Sequence, residues 1–423
     1  MKAKICISLI CTTCMLASSL SSLSAQPVSK SEVKDNRIIV TAGTGEKTDY
    51  KIYGFCYSVD RNGREFEAYF DNHLALLESV HANSIRTYRP LAAYDGNGSI
   101  NYEKTRRMFD RLAEAGMTVL VGFDLNQDLL SGLYKTYLGE LGDHPALLGV
   151  LLGNEYNYHY IGSAPDGSAW FTKESWLGNL TEAITEVKQR CNRFVGVVHG
   201  EIPTPQELSE YETCGADIVM LNIYRGNSFY NLFDQWKDLP ANGMPLVASE
   251  FGRSSVAANG NDASALQAGW VVQLWNEIDS RLCEGVAGGY VFELVDESWK
   301  QGAGELTGSE KHFGVFTEEG APKAAASQLS QLWQSKTGCG PVASTASIPA
   351  SGLKVYPNPV EKGKSIWIET DTPRRQAIEM YSLNGSLIKR QSVRGNLTEL
   401  TLSVPEGAYI LKTGSESTKL IVK

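Results

Sequence analysis

Short apolar runs alternate with longer amphipathic stretches over most of this 423-residue chain. Most of the apolar runs are continuous, which is typical of parallel strands that are buried on both faces. Helix-like spacing separates them: Glu103–Ala115 brings Met108, Leu112 and Ala115 to one face, and Trp176–Arg190 and Ala263–Ile278 show the same spacing. The eight predicted strands are Tyr50–Ser58, Asn83–Arg89, Thr118–Phe123, Leu147–Asn154, Phe194–His199, Asp217–Tyr224, Pro245–Glu250 and Gly289–Leu294.

Eight strands with intervening helices over roughly 300 residues match a (β/α)8 barrel, the TIM barrel, in size and order. The alternative α/β fold, a doubly wound open sheet, needs a glycine-rich phosphate turn after an early strand. The glycines of this chain are scattered and form no such turn. The sequence therefore predicts a TIM barrel over residues 26–334. A polar stretch, Gln26–Asn36, and a β-rich segment, Arg37–Asp49, precede its first strand.

The two ends of the chain differ from the barrel. Lys2 and Lys4, the apolar run Ile5–Leu16 and the small residues before Ala25 predict a signal peptide over residues 1–25, with an apolar run too short for a membrane anchor. Residues 335–352 predict a linker because they are rich in Gly, Pro, Ser and Thr. Residues 353–423 predict a small all-β sandwich. Its predicted strands are Ser365–Glu369, Ala377–Tyr381, Glu399–Val404, Gly407–Lys412 and Leu420–Val422, with a turn at Asn384-Gly385.

The charge and the cysteine content limit the kinds of molecule that this protein is expected to bind. The formal net charge is −9, and residues 353–423 carry more basic than acidic residues, so the barrel holds the acidic excess. An acidic barrel argues against nucleic acid and favours a neutral substrate. Without the signal the cysteine count is odd; Cys191 and Cys214 are a possible pair that the sequence leaves open. Since no Cys/His spacing resembles a zinc site, we predict neither a metal nor a cofactor.

Two carboxylates follow apolar strands. The fourth predicted strand ends in Gly153-Asn154-Glu155, and the seventh ends in Ser249-Glu250-Phe251-Gly252. Active sites of TIM barrels lie at the carboxyl ends of the strands, so the two side chains are expected to face each other across the mouth. Retaining glycosidases use two carboxyl groups roughly 5–5.5 Å apart, one as nucleophile and the other as acid/base.

Other strand ends supply polar and aromatic groups. An arginine beside a carboxylate keeps it ionised, a tyrosine hydroxyl orients it, and an asparagine amide binds a sugar hydroxyl. Trp299 follows the last strand and is a candidate sugar platform, while Tyr158 and Trp170 are as suited to sugar contact as to packing. The predicted supporting residues are Arg86, Tyr88, Asn154, His199, Glu201, Asn222, Tyr224 and Trp299.

These motifs resemble the large clan of retaining barrel glycosidases with glutamates on strands four and seven. The resemblance covers roughly residues 51–333. It implies that Glu155 is the acid/base and that Glu250 is the nucleophile. Arg86 and Tyr224 match the clan's arginine of strand two and tyrosine of strand six.

A narrower resemblance concerns the eighth strand. Phe292-Glu293-Leu294-Val295-Asp296-Glu297-Ser298-Trp299-Lys300 and Lys311-His312-Phe313-Gly314-Val315-Phe316 are similar to family 17 β-1,3-glucanases and glucanosyltransferases. The resemblance implies a β-1,3- or mixed-linkage glucan as substrate, with Glu293 among the binding residues. Asn154-Glu155-Tyr156-Asn157 also resembles family 2, so the family stays open. A glucanosyltransferase and a non-catalytic glycan-binding surface protein remain alternatives.

The C-terminal residues resemble a type IX secretion sorting domain. Val355-Tyr356-Pro357-Asn358-Pro359 opens it, and Gly407-Ala408-Tyr409-Ile410-Leu411-Lys412 and the terminal Lys419–Lys423 close it. The resemblance implies the type IX machinery as a partner, passage through the periplasm, and release or attachment at the outer-membrane surface. A carbohydrate-binding sandwich is the alternative for this domain.

Overall fold

The computed structural model divides the chain into two compact units, Met1–Cys339 and Gly340–Lys423, which are described separately. The predicted signal peptide, most of the predicted linker, Trp170 and Asn384-Gly385 lie outside the described residues. The structure describes residues 28–58, 66–124, 128–159, 171–240, 243–300, 308–336, 354–369, 376–382, 386–393, 397–413 and 416–423.

A three-stranded antiparallel sheet begins the first unit: β1 (Val28–Lys34), β2 (Arg37–Ala42) and β3 (Lys47–Asp49). The sequence predicted only a polar stretch where β1 lies. The partners of β1 explain the difference, because Arg193 Nη2 donates to the Val28 carbonyl at 2.9 Å and the Ser31 hydroxyl donates to the Leu148 carbonyl. Both contacts lie at the amino ends of barrel strands, so this sheet forms the floor of the barrel.

Eight parallel strands form a closed barrel in chain order, with the last pairing to the first, as predicted. Each strand is buried along its whole length, which is why most of the strand sequences are apolar; β5, which carries Arg86, is an exception. The last strand starts three residues before its predicted start and ends at Val291, so Glu293 follows it. The strands are β4 (Ile52–Tyr57), β5 (Ser84–Thr87), β6 (Thr118–Phe123), β7 (Leu147–Leu152), β8 (Phe194–Gly200), β9 (Ile218–Asn222), β10 (Leu246–Phe251) and β11 (Val286–Val291).

Helices follow the strands and begin at local capping signals. The Asn101 side chain accepts from the Lys104 N–H, and Thr204 and Glu207 form a reciprocal capping box. Among the described residues the helices are α1 (Phe66–Ser79), α2 (Tyr102–Glu114), α3 (Leu133–Leu141), α4 (Lys173–Arg190), α5 (Pro205–Thr213), α6 (Leu232–Lys237), α7 (Ser264–Asp279) and α8 (Ala324–Trp333). No helix of the described residues is both long and apolar enough to span a membrane.

The second unit packs two antiparallel sheets around one apolar core that includes Ile366, Met380, Leu400 and Leu411. It is the predicted all-β sandwich, with two strands, β12 and β15, that the sequence did not indicate. The short β12 and the weak apolar alternation of β15 explain both omissions. Its strands are β12 (Lys354–Tyr356), β13 (Ser365–Glu369), β14 (Gln376–Ser382), β15 (Leu387–Val393), β16 (Leu397–Thr401), β17 (Gly407–Thr413) and β18 (Glu416–Val422).

Cysteine pairing differs from the possibility left open by the sequence. Cys191 and Cys214 are both buried free thiols, so they do not form a disulfide with each other. Cys283 is the described cysteine that is disulfide-bonded. Burial raises the pKa of Cys191 to about 11, which keeps that thiol protonated and unreactive at neutral pH.

Candidate active site

Glu250 lies one residue before the end of β10, and its carboxylate accepts hydrogen bonds from three side chains. Arg86 Nη1 donates to Oε1 at 2.8 Å, and the Tyr88 hydroxyl donates to the same oxygen at 2.8 Å. The Tyr224 hydroxyl donates to Oε2 at 2.9 Å. Glu250 therefore lies among three donors, one of them a guanidinium, and donors of this kind stabilise negative charge on a carboxyl group.

Arg86 connects several strand ends beneath the carboxylate. Its Nη2 donates to Asn154 Oδ1 at 2.6 Å, and its Nη1 also donates to the Ser249 carbonyl at 2.9 Å. Asn222 Nδ2 donates to the same Asn154 oxygen at 3.2 Å. Since Oδ1 of Asn154 receives both donors, its amide N–H groups point away from Arg86 and are available to a ligand. Arg86 itself is 1% exposed, so it acts on Glu250 and Asn154 rather than on a sugar.

The backbone at Gly153 and Glu155 adopts left-handed conformations. Gly153 has φ 77°, and a Cβ there would lie 2.3 Å from a ring carbon of Tyr156, so this position requires glycine. Glu155 also has a left-handed backbone, with φ 53°. Its N–H donates to the Val198 carbonyl of β8 at 3.0 Å, which stabilises the turn. A left-handed non-glycine residue costs about 1–3 kcal/mol and is found preferentially at functional sites.

The two carboxyl groups differ in electrostatic environment. Burial and the negative charge of Glu250 raise the pKa of Glu155 to about 7, although Asn222 and Arg86 act in the opposite direction. Glu155 is therefore largely protonated in mildly acidic solution, while Glu250 lies among three hydrogen-bond donors. A proton donor and an anionic nucleophile are the two groups that a double displacement at an acetal carbon needs.

Aromatic rings support the tyrosines that bind Glu250. Phe292 lies near-perpendicular to Tyr88 and to Tyr224, with ring centroids 6.4 and 6.3 Å apart. Phe313 packs against Phe292 at 5.1 Å. These edge-to-face contacts fix both phenol rings relative to the carboxylate. Tyr224 is nevertheless 47% exposed, so its ring also forms part of the wall of the barrel mouth.

A second acidic cluster lies behind this wall. Lys300 forms ion pairs with Glu293 and, at 3.0 Å, with Glu297, and its Nζ lies 4.3 Å from the Phe292 ring centroid. Glu293 is 1% exposed. Burial and the neighbouring Glu297 raise its pKa well above the usual range. Glu293 is thus an enclosed carboxyl group paired with Lys300, and its part in sugar binding stays a prediction.

The remaining predicted residues are spread around the mouth. His199 is buried, contacts Tyr211 of α5 at 5.9 Å between ring centroids, and has Nδ1 2.9 Å from the Glu201 carbonyl. Its ring thus packs against the helical layer, and its part in sugar binding stays a prediction. Trp299 is half-buried beside Lys300, and its platform role stays a prediction. Trp176 and Trp275 are core residues.

Several residues of the site carried no sequence signal. Cys56 on β4 lies under the carboxylate, with its Sγ 3.3 Å from the Ser249 carbonyl and 3.8 Å from Arg86 Nη1. Phe292 and Phe313 sit in irregular segments after β11, where no periodicity marks an inward-facing residue. Trp270 of α7 is half-buried and stacks on the Arg253 guanidinium at 4.2 Å. Among the described residues no group of three or more His, Cys, Asp or Glu side chains could hold a metal ion.

Known structures share this architecture. The β-glucuronidase of Faecalibacterium prausnitzii aligns at 20% identity and a TM-score of 0.52, covering 74% of this chain and 52% of that one. A Bifidobacterium dentium β-glucuronidase complexed with coumarin-3-O-glucuronide aligns at 17% identity and 0.53, covering 74% and 50%. A galacturonate-bound family 2 β-galacturonidase of Eisenbergiella tayi aligns at 17% identity and 0.51, covering 73% and 55%. The chain spans about half the length of these structures and has the TIM-barrel fold of glycoside hydrolases.

The second unit is more specifically identified. Residues 354–423 match the family model of the secretion system C-terminal sorting domain. The protein therefore carries the address for type IX secretion, which delivers proteins to the cell surface or the medium. No curated protein sequence matches the chain.

Proposed function

We propose that the barrel is a retaining glycoside hydrolase, with Glu250 as nucleophile and Glu155 as acid/base. The observation that carries the proposal is the contrast between the two carboxyl groups. Three donors, one of them the Arg86 guanidinium, bind the Glu250 carboxyl group, whereas burial and the charge of Glu250 raise the pKa of Glu155 to about 7. Donors that stabilise negative charge suit a nucleophile, and a raised pKa suits a proton donor, as the first step of a double displacement requires.

The surroundings of Glu155 also explain how it can act as an acid in the first step and as a base in the second. Glu250 attacks the anomeric carbon while Glu155 donates its proton to the departing oxygen, which breaks the glycosidic bond. The ester formed by Glu250 carries no charge, so one of the two causes that raise the pKa of Glu155 disappears. Glu155 then acts as the base that deprotonates water, and hydrolysis of the ester regenerates the Glu250 carboxylate.

For the substrate we propose a neutral β-glucan with β-1,3 or mixed linkages. The acidic barrel disfavours an anionic glycan, and three cations beyond the strand ends are paired with acids: Lys300 with Glu293 and Glu297, Lys323 with Asp296, and Arg225 with Glu201. The likeness of the residues after β11 to family 17 supports the same substrate. Among the described residues, Arg253 follows β10 and stacks on Trp270, and it is the cation that we select to test a preference for uronides, as in the named neighbours.

A panel of β-linked substrates tests this proposal. We expect release of reducing sugar from β-1,3-glucan or mixed-linkage glucan, and little from mannan, xylan or aryl β-glucuronides. Activity on glucuronides alone, lost in Arg253→Ala, would replace the glucan by a uronide and leave the mechanism intact. No activity on any member of the panel would favour a non-catalytic glycan-binding protein.

Azide rescue tests the assignment of the two roles. With a substrate that has a good leaving group, azide should restore turnover to Glu155→Ala and give the β-glycosyl azide, because the nucleophile is still present. In Glu250→Ala azide takes the nucleophile's place and should give the α-glycosyl azide. The reverse pattern of products would exchange the roles of the two residues.

A further inference from the structure

Tyr158 is an aromatic side chain with an exposed surface beside the proposed acid/base. It is 38% exposed and lies in the short helical turn that directly follows Glu155. Its backbone N–H donates to the Glu155 carbonyl at 3.0 Å, so the two residues are fixed relative to each other. The position of this ring is therefore set by the same turn that positions Glu155.

The ring is held against the end of β8. Gly200 lies directly beneath it, since a Cβ there would be 2.1 Å from a Tyr158 ring carbon. Asn157 fixes the contact because its side chain donates to the Gly200 carbonyl at 3.1 Å and accepts from the Gly200 N–H at 2.9 Å. One side of the ring is thus packed on backbone, and the residue still exposes more than a third of its surface. A surface ring that has already lost its freedom binds a ligand at low entropic cost.

Polar groups lie next to the ring. Glu201 follows β8 and forms an ion pair with Arg225, whose Nε is 3.0 Å from both carboxylate oxygens. Burial and the charges of Glu155 and Glu201 raise the pKa of Tyr158, so both carboxyl groups act on its phenol. An apolar ring flanked by hydrogen-bonding groups suits a sugar, which presents an apolar C–H face and a rim of hydroxyls.

The reaction chemistry indicates on which side of the scissile bond the surface around Tyr158 lies. A general acid protonates the leaving oxygen, so the leaving group lies on the side of Glu155 rather than on the side of Glu250. We propose that Tyr158, with Glu201 and Arg225, forms a subsite for the leaving group and that this group is itself a sugar. The inference rests on the proposed function and deepens it: the enzyme cleaves bonds between sugars, and the same subsite receives an acceptor sugar when the intermediate is transferred instead of hydrolysed.

Two substrates that share the same glycone but differ in leaving group distinguish a defect in this subsite from a defect at the reaction centre. The first is the β-glycosyl fluoride of the sugar that the substrate panel identifies, because fluoride places no ring in the leaving-group site. The second is the β-linked trisaccharide of that sugar. In Tyr158→Ala we expect kcat/KM for the trisaccharide to fall roughly tenfold, mainly through KM, from the lost apolar contact. The glycosyl fluoride should be hydrolysed at the wild-type rate, with less transfer to an added acceptor sugar.

Two variants serve as controls. Tyr158→Phe keeps the ring and should behave as wild type on both substrates. Tyr230→Ala removes a tyrosine that is 66% exposed beyond β9 and should leave both rates unchanged. An equal loss on fluoride and trisaccharide, or no loss on either, would overturn the subsite. If the wild-type enzyme hydrolyses no β-glycosyl fluoride of the panel, the proposed function falls, and the subsite falls with it.

Discussion

Replacing Glu155 by glutamine should make the barrel more stable at alkaline pH while abolishing its activity. In the folded protein the pKa of Glu155 is about 7, against 4.5 for the same group in an unfolded chain. A raised pKa means that the folded state favours the protonated form, so this contribution to stability is complete below pH 4.5. It is lost as the pH rises through 7, where the folded protein must hold two nearby carboxylates. Glutamine resembles the protonated acid at every pH.

The expected size of the effect follows from the pKa difference. About 2.5 pKa units correspond to about 3 kcal/mol, and the partial exposure of Glu155 reduces this to about 2–3 kcal/mol at pH 8.5. Unfolding entropy is about 2.1 cal/mol/K per residue, so a barrel of roughly 300 residues changes its Tm by about 3–5 °C.

Differential scanning calorimetry at pH 4 and pH 8.5 measures this difference directly. The gain in Tm of Glu155→Gln over wild type should appear at pH 8.5 and nearly vanish at pH 4. Glu201→Gln is the matched control. Burial raises the pKa of Glu201, but its hydrogen bonds to Arg225 and Ile202 outweigh burial and leave it lowered. Its replacement should therefore reduce Tm at pH 8.5 and matter less at pH 4.

The pH dependence decides whether this reasoning holds. A gain for Glu155→Gln that is the same at both pH values would mean that the carboxyl group does not titrate near neutrality. The assignment of Glu155 as the acid would then lose its physical basis. The same titration should appear in the wild-type enzyme as a loss of kcat/KM above about pH 7, because the deprotonated group cannot protonate a leaving oxygen.

Three further predictions concern the nucleophile, the geometry and the tail. Tyr224→Phe removes one of the three hydrogen bonds to Glu250 and should lower kcat/KM roughly 10- to 100-fold without a change in Tm; an unchanged rate would leave Tyr224 a wall residue only. A crystal structure of an inhibitor complex should show the carboxyl groups of Glu155 and Glu250 roughly 5–5.5 Å apart, whereas about 9 Å would indicate inversion. The chain from Gln26 to Ser335 should hydrolyse soluble glucan at nearly the full rate, and deletion of residues 353–423 in the host should leave the enzyme in the periplasm, as fractionation would show. Export without the tail, accompanied by loss of binding to insoluble glucan, would make the tail a carbohydrate-binding domain.

Much of the fold is visible in the sequence because of how this barrel buries its strands. Parallel strands covered on both faces leave continuous apolar runs, so Thr118–Phe123 is predicted with its observed limits. The positions of Glu155 and Glu250 follow from the rule that the carboxyl ends of such strands gather at one mouth. Arg86 and Tyr224 could be associated with Glu250 for the same reason.

What the sequence did not indicate depends on contacts between distant residues. β1 is polar, and its burial comes from hydrogen bonds to Leu148 and Arg193 that no local pattern records. His199 and Glu293 follow the same strand-end pattern, and the sequence did not indicate that both are buried. Which way a side chain leaves a strand end depends on the loop that follows, and that loop is not periodic.

The floor sheet also constrains the order in which an exported chain can fold. Val28–Lys34 precedes its partners by a long distance, since Ser31 bonds to a residue 117 positions later and Val28 to one 165 positions later. Pairing over such separations is slow because the intervening chain must be ordered first. Until β7 and β8 have been delivered, β1 can form only its hairpin with β2. Nearly half of the chain must therefore be present before β1 can complete its contacts, and the barrel itself closes later still, when β11 pairs with β4.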